Sequence, residues 1–335
     1  MPGFRLGAAN GRDRAILLRP MSALRDTARR WGLAFVGCSG FGWPQAAFAH
    51  HIAGHKEGLW QPEWPVAAIL AVSLWFYLRG VQRLWRAASP GRGVARGEVA
   101  CFIAGWMVLA AALMPPVHTL GEMLFSVHMV EHELLMAVAA PLLVLGRPLI
   151  AFLWALPQSA RRDLGSLSRA RAVHRVWLFA TSALVAWMIH ALALWVWHLP
   201  ALFEAALARE LVHSLQHVCF LGAALLYWTS LLRLRHDAES RGAAVISLFA
   251  TSLHSGILGA LLTLGTVSWY PLYGGRSAAW GFTAVEDQQL AGLVMWVPGG
   301  FVYMGAALAF AAMWLKESET RTRRWETALL KERHS

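Results

Sequence analysis

Residues 123–146 read MLFSVHMVEHELLMAVAAPLLVLG, an apolar run interrupted by two histidines and two glutamates. A run of this length lets an α-helix cross the hydrocarbon core of a bilayer, which takes about 20 residues. Six further apolar runs of similar length occur along the chain, at residues 65–85, 98–115, 176–197, 210–232, 243–266 and 289–315. The sequence therefore predicts an all-α integral membrane bundle of seven transmembrane helices.

The composition agrees with a membrane protein. Of the 335 residues, 57% are hydrophobic and only 15% are charged, whereas charged residues make up about 25% of a typical soluble domain. The net charge of +11 would favour nucleic-acid binding in a soluble protein. Here the positive charges lie in short connections and tails, where they set membrane orientation, so we expect no nucleic-acid partner. The three cysteines are far apart along the chain and predict no disulfide framework.

The lysines and arginines between the runs alternate sharply. Twenty lie in the last two turns of the first run or after the first, third, fifth and seventh runs, and only three lie on the opposite side: Lys56, Arg209 and Arg276. Because positive residues are retained on the cytoplasmic side, this predicts a periplasmic mature N-terminus and a cytoplasmic C-terminus. We expect a multi-pass protein of the bacterial inner membrane, with its membrane domain at 50–316 and a cytoplasmic tail at 317–335.

Residues 1–49 are predicted to be an N-terminal extension and a signal peptide. From Met21 the chain has a basic region, an apolar stretch and a small-residue ending at Ala47-Phe48-Ala49, which is typical of cleavage after Ala49. The alternative is an uncleaved additional helix. Three histidines near the new N-terminus would either capture metal first or form a solvated polar end: His50, His51 and His55.

Eleven of the 14 histidines fall on the outer side or within the apolar runs, and four form two pairs spaced i, i+4. This spacing places both side chains on one helix face with Cβ atoms about 5–6 Å apart, which suits shared metal ligation. A further histidine lies midway along the sixth run, and an aspartate lies at the start of the seventh. The sequence predicts one outward-opening metal site of six residues: His128, His132, His213, His217, His254 and, at its mouth, Asp287. We expect His190 and His198 to be hydrogen-bonded packing residues.

The choice of metal depends on the neighbouring side chains. Imidazole suits zinc, copper and iron alike, whereas soft thioethers favour Cu(I). Met123, Met129 and Met136 surround the first histidine pair, and Met295 lies on the seventh run. Copper is therefore the predicted cofactor, with zinc or haem as the alternatives.

The run FSVHMVEHELLMAVAAPLLVLGRPL at 125–149 resembles the polytopic CtaG-type assembly factors of caa-type cytochrome c oxidase. The similarity extends over about 60–315 and includes the stretch around His198, HSLQH at 213–217, LHSGILGALLTL at 253–264, PLYGG at 271–275 and EDQQLAGLVMWVPGG at 286–300. The resemblance implies a non-enzymatic role in maturing a haem–copper oxidase, by delivering copper to its buried copper centre. Oxidase subunits or a copper chaperone are the implied partners. The six-residue ligand set rests on spacing and topology instead.

Two other functions remain open at this point. A membrane b-type cytochrome would take its axial haem ligands from the two histidine pairs. An intramembrane zinc metalloprotease would use His128-x-x-Glu131-His132, which matches the inverted zincin pattern, with Glu131 as the general base. The resembled family commonly has glutamine or another polar residue where this chain has Glu131.

Overall fold

The computed structural model describes residues 63–234 and 238–333, which form helices and connecting turns without any β-strand. The predicted signal peptide and His50, His51 and His55 lie outside the described residues. Twelve of the described helices are named here: α1 Trp64–Ala88, α2 Arg96–Leu113, α3 Val117–Met123, α4 Phe125–Leu145, α5 Pro148–Ala155, α6 Gln158–Arg169, α7 Arg171–Ala180, α8 Ala183–Trp197, α9 Pro200–Ala208, α10 Glu210–Leu234, α11 Ala238–Thr263 and α12 Ala284–Arg333. Short helical turns occupy 271–280 between α11 and α12.

Six helical stretches are long and apolar enough to cross a membrane: α1, α2 together with α3, α4, α10, α11 and α12. A seventh is obtained if α7 and α8, which meet at a bend of 63°, count as one span. The predicted all-α membrane fold is thus confirmed, with the fourth predicted helix broken near its N-terminal end. The hydroxyls of Thr181 and Ser182 bond to the carbonyls of Trp177 and Phe179, and such local side-chain bonds compete with a continuous helix.

Helix α4 is distorted in its middle. Residues Leu134–Ala139 form a π-helical turn, and Pro141 follows at the start of the last α-helical segment. Proline has no N–H to donate to the carbonyl four residues earlier, and its ring crowds that carbonyl. The wider π turn relieves this conflict, and such turns are frequent at functional sites.

Helix α4 also lies at the centre of the bundle. One face, including Met129 and Met136, packs into an apolar cluster with α8 and α10 to α12. Another face, including Leu135 and Ala139, packs into a second cluster with α1, α2 and α5. Because both faces contact protein, polar residues on α4 are directed into the bundle instead of into lipid.

The two C-terminal spans approach each other closely. A Cβ atom added to Gly292 of α12 would lie 2.5 Å from the carbonyl oxygen of Gly259 on α11. Only glycine fits at such a contact, and small residues allow this kind of close packing between membrane helices. The α11–α12 pair therefore forms a tight unit beside α4.

Candidate functional site

The two histidine pairs lie on the facing sides of α4 and α10. His128 and His132 are 0% and 1% exposed, and His213 and His217 are 7% and 8% exposed. The ring centroids of His128 and His213 are 5.1 Å apart, and those of His132 and His217 are 5.4 Å apart. The structure therefore brings all four imidazoles into one group.

A fifth histidine joins this group from α3. The ring of His118 stacks on that of His213 at 5.1 Å and lies 5.7 Å from that of His217. Sequence reasoning counted His118 on the outer side without giving it a role in the site. The available signal was its position two residues after Pro115-Pro116, at the end of the second predicted run that lies on the same side as the two pairs.

A buried glutamate connects the histidines. Glu131 is 0% exposed, and its Oε1 lies 2.7 Å from Nδ1 of His118 and 3.5 Å from Nε2 of His217. The other ring nitrogen of His118, Nε2, is 2.9 Å from Oε1 of Glu63. The hydrogen bond from His118 holds the pKa of Glu63 below its usual range. The imidazole of His118 is therefore held between two carboxylates.

The five histidines and Glu131 offer three overlapping sets of metal ligands. Within each set, one ligand atom per residue lies within 4.8 Å of the others. The sets are His118 with His213 and His217, His128 with His132 and His217, and His128 with Glu131 and His213. We call the six residues the outer cluster, after the side of the membrane on which the sequence predicts them: His118, His128, Glu131, His132, His213 and His217.

Several ring nitrogens of the outer cluster have no hydrogen-bond partner in the described structure. Both nitrogens of His128 and of His132, and Nε2 of His213 and of His217, are buried without a hydrogen-bond partner. A buried polar group left unpaired costs about 1–3 kcal/mol. A bound cation would satisfy these lone pairs, so the donor set fits a metal that accepts imidazole nitrogen.

Asp287 differs from the prediction that it lies at the mouth of the site. It is 0% exposed, and its carboxylate accepts hydrogen bonds from the N–H groups of Phe125 at 2.7 Å and Ser126 at 3.0 Å. The Ser126 hydroxyl donates a third bond at 2.6 Å. Leu124, the residue before α4, cannot cap the helix with its own side chain. Asp287 therefore caps α4 from across the bundle, where a carboxylate also complements the helix dipole.

His254 also differs from its predicted place. Among the described residues it belongs to none of the three ligand sets. Its ring centroid lies 5.8 Å from that of Trp187 on α8. The packing of α11 places this side chain beside α8.

The two expected packing histidines behave differently from each other. Nδ1 of His198 bonds to the carbonyl of Leu194 at 2.7 Å, which agrees with the expectation. His190 is 2% exposed, yet neither of its ring nitrogens has a hydrogen-bond partner in the part of the chain described. Its ring packs 4.9 Å from that of Tyr227 instead.

The comparisons with known proteins give one match. A family model described as cytochrome c oxidase caa3 assembly factor (Caa3_CtaG) matches residues 75–317. This range includes all six residues of the outer cluster and more than half of the chain. No curated protein and no solved structure matches the chain.

Proposed function

Because this chain belongs to the family of cytochrome c oxidase caa3 assembly factors, we propose that it binds copper in the outer cluster and delivers it to the copper centre of the oxidase. The role is that of a membrane metallochaperone and not of an enzyme. The observation that carries this proposal is the presence of three overlapping ligand sets within one buried group of side chains.

The overlap of the ligand sets suits a carrier. A structural metal site holds its ion in one closed set of four ligands. In the outer cluster, His217 belongs to two ligand sets, and so do His128 and His213. An ion can therefore exchange one ligand at a time while keeping the others, which lowers the barrier to release. Imidazole-rich sites of this kind suit copper.

The cluster also has a route to one end of the bundle. Glu63 precedes α1, its side chain is 36% exposed, and it contacts His118 directly. A cation arriving there meets first a carboxylate and then the imidazoles. The positive-inside pattern of the connections supports placing this end on the periplasmic side, where we propose that copper enters.

The geometry of the rings favours an ion over a haem. The centroids of His128 and His132 are 4.2 Å apart, and those of His213 and His217 are 4.4 Å apart. Contacts across the cluster are also direct, since His128 stacks on His213 at 5.1 Å. Rings this close leave no slot for a macrocycle between the two helices.

The contacts of Glu131 favour metal binding over a hydrolytic role. Its Oε1 is already held by Nδ1 of His118 at 2.7 Å and lies near Nε2 of His217. A general base in a metalloprotease acts on a water bound to the metal, whereas this carboxylate orients an imidazole. Such carboxylate–histidine contacts are typical supports of metal ligands.

The proposal is tested by removing one histidine pair at a time. His128→Ala/His132→Ala and His213→Ala/His217→Ala should each lower copper affinity by more than about 100-fold, because each removes two direct ligands and the loss of supporting residues alone costs 10–100-fold. Copper bound per purified protein is measured by mass spectrometry, and oxidase activity is measured in membranes of strains carrying each variant.

His174→Ala is the matched control, since His174 lies exposed on α7 away from the cluster. Gel filtration and circular dichroism should show that all the variants keep the helical bundle. Full copper loading and full oxidase activity in both double variants would refute the proposed function.

A further inference from the structure

A second pair of metal-binding atoms lies beside the outer cluster. His198 follows the last residue of α8 and is 2% exposed, and Met129 on α4 is 1% exposed. Nε2 of His198 lies 3.5 Å from Sδ of Met129. Neither residue belongs to the outer cluster, and sequence reasoning treated His198 as a packing residue.

The hydrogen on the His198 ring can be located from its other contact. Nδ1 lies 2.7 Å from the carbonyl oxygen of Leu194, and a carbonyl oxygen only accepts hydrogen bonds. A neutral imidazole carries one N–H, so that hydrogen is on Nδ1 and Nε2 presents a lone pair. The Tyr270 hydroxyl donates to the carbonyl of His198 at 2.7 Å, which fixes this end of α8.

The contact with Met129 therefore joins two acceptors. A thioether sulfur has no hydrogen to donate, and Nε2 of His198 has none left. Two buried lone pairs that face each other across 3.5 Å are not held by a hydrogen bond. A cation between them would convert this contact into two favourable bonds, and thioether sulfur is a ligand that selects Cu(I).

This pair is continuous with the outer cluster. The ring centroids of His198 and His132 are 6.2 Å apart, and both ring nitrogens of His132 are unpartnered. Phe220 packs against both rings, at 4.6 Å from His132 and 5.9 Å from His198. The surroundings are therefore apolar, which favours an ion of low charge over a divalent one.

We propose that His198, Met129 and His132 form a second metal position that is selective for Cu(I) and receives the ion from the outer cluster. The outer cluster, made of imidazoles and a carboxylate, accepts several metals, whereas the thioether restricts the second position to a soft monovalent cation. The identity of the cargo rests on the proposed function. Transfer involves only ligand exchange by an ion that stays Cu(I).

The test compares a soft and a borderline cation on the purified full-length protein in detergent. Ag(I) serves as a redox-inert probe for Cu(I), and Zn(II) reports on the imidazoles alone. Met129→Leu removes the sulfur at nearly constant volume, a change that cores tolerate well. It should lower Ag(I) affinity at least about tenfold, the lower end of the loss when a metal site loses a supporting residue, and leave Zn(II) affinity unchanged.

X-ray absorption of the Cu(I)-loaded protein gives the second readout. Wild type should show a sulfur scatterer that is absent from Met129→Leu and retained in Met136→Leu, a control two turns further along α4 that is also buried. His198→Ala should lose the sulfur scatterer as well, because Met129 and His132 are then left without the third ligand of the second position. Its helical content is checked by circular dichroism.

The outcomes separate this inference from the proposed function. Wild type that binds Cu(I) without any sulfur scatterer, or Met129→Leu with unchanged Ag(I) affinity, overturns the second position and leaves the outer cluster standing. Wild type that binds neither Cu(I) nor Ag(I) refutes the proposed function itself. Loss of the sulfur scatterer in Met129→Leu, together with Zn(II) binding retained by that variant, supports both the second position and the proposed function.

Discussion

Two groups of histidines with buried ring nitrogens differ in what surrounds them. In the outer cluster, five imidazoles converge on one another and on the carboxylate of Glu131. The second group, which we call the inner pair, consists of His190 and His254. It is bordered by Trp187, Tyr227 and Tyr303, and its four ring nitrogens have no hydrogen-bond partner in the described structure.

Two glutamates of α4, Glu131 and Glu133, show the same contrast. Glu131 bonds to His118 within the outer cluster. Glu133, two residues further on and therefore about 200° around the helix, faces α12, where a Cβ on Gly299 would lie 2.7 Å from its Oε2. That oxygen has no hydrogen-bond partner. Burial of a polar group is therefore common to both regions, and only convergence of ligands distinguishes the outer one.

The largest expected difference in copper affinity between the two regions is the difference between variants of Glu131 and Glu133. Glu131→Gln should lower copper affinity about 10–100-fold, because it removes the carboxylate that orients His118. Affinity is measured by competition with a chromophoric Cu(I) chelator. Glu133→Gln is the matched control on the same helix and should leave the affinity unchanged. Equal losses in the two variants would contradict the separation of the two regions.

A smaller effect is expected at the cap of α4. Asp287→Asn removes the charge that accepts three hydrogen bonds at the helix start, so the free energy of unfolding should fall by about 1–2 kcal/mol. Chemical denaturation in detergent measures this change. Copper affinity should fall less than in Glu131→Gln, since the ligands remain.

Glu286→Gln provides the control for the cap. Glu286 is a neighbour of Asp287 but bonds only to Thr283 at the exposed start of α12. Its replacement should leave the unfolding transition nearly unchanged. If Asp287→Asn unfolds like wild type yet loses copper as strongly as Glu131→Gln, Asp287 acts as a ligand after all.

The smallest effect is expected at the inner pair. His190→Ala and His254→Ala should leave copper stoichiometry unchanged, because among the described residues neither histidine belongs to a set of three converging ligands. Mass spectrometry of the metal-loaded variants measures this. A loss of one copper equivalent in either variant would give the inner pair a binding role and remove the distinction drawn between the two regions.

The fold and four of the six residues of the outer cluster could be predicted for the same reason, which is the regular geometry of the helix. Apolar runs of spanning length predict membrane helices whatever their neighbours are, and the structure has a helix at each predicted run. The i, i+4 spacing places His128 with His132, and His213 with His217, on common faces without knowledge of the fold. The bend between α7 and α8 was not predicted, because it depends on local hydroxyl bonds.

The sequence by itself determined which residues share a helix face, and only the tertiary structure decided which faces meet. His118 enters the outer cluster, and His254 stays out of it, through the packing of α3 against α4 and of α11 against α8. Asp287 caps α4 because α12 begins beside it. The i, i+4 spacing is set within one helix by its 3.6-residue turn, whereas contacts between helices depend on side chains far apart in the chain.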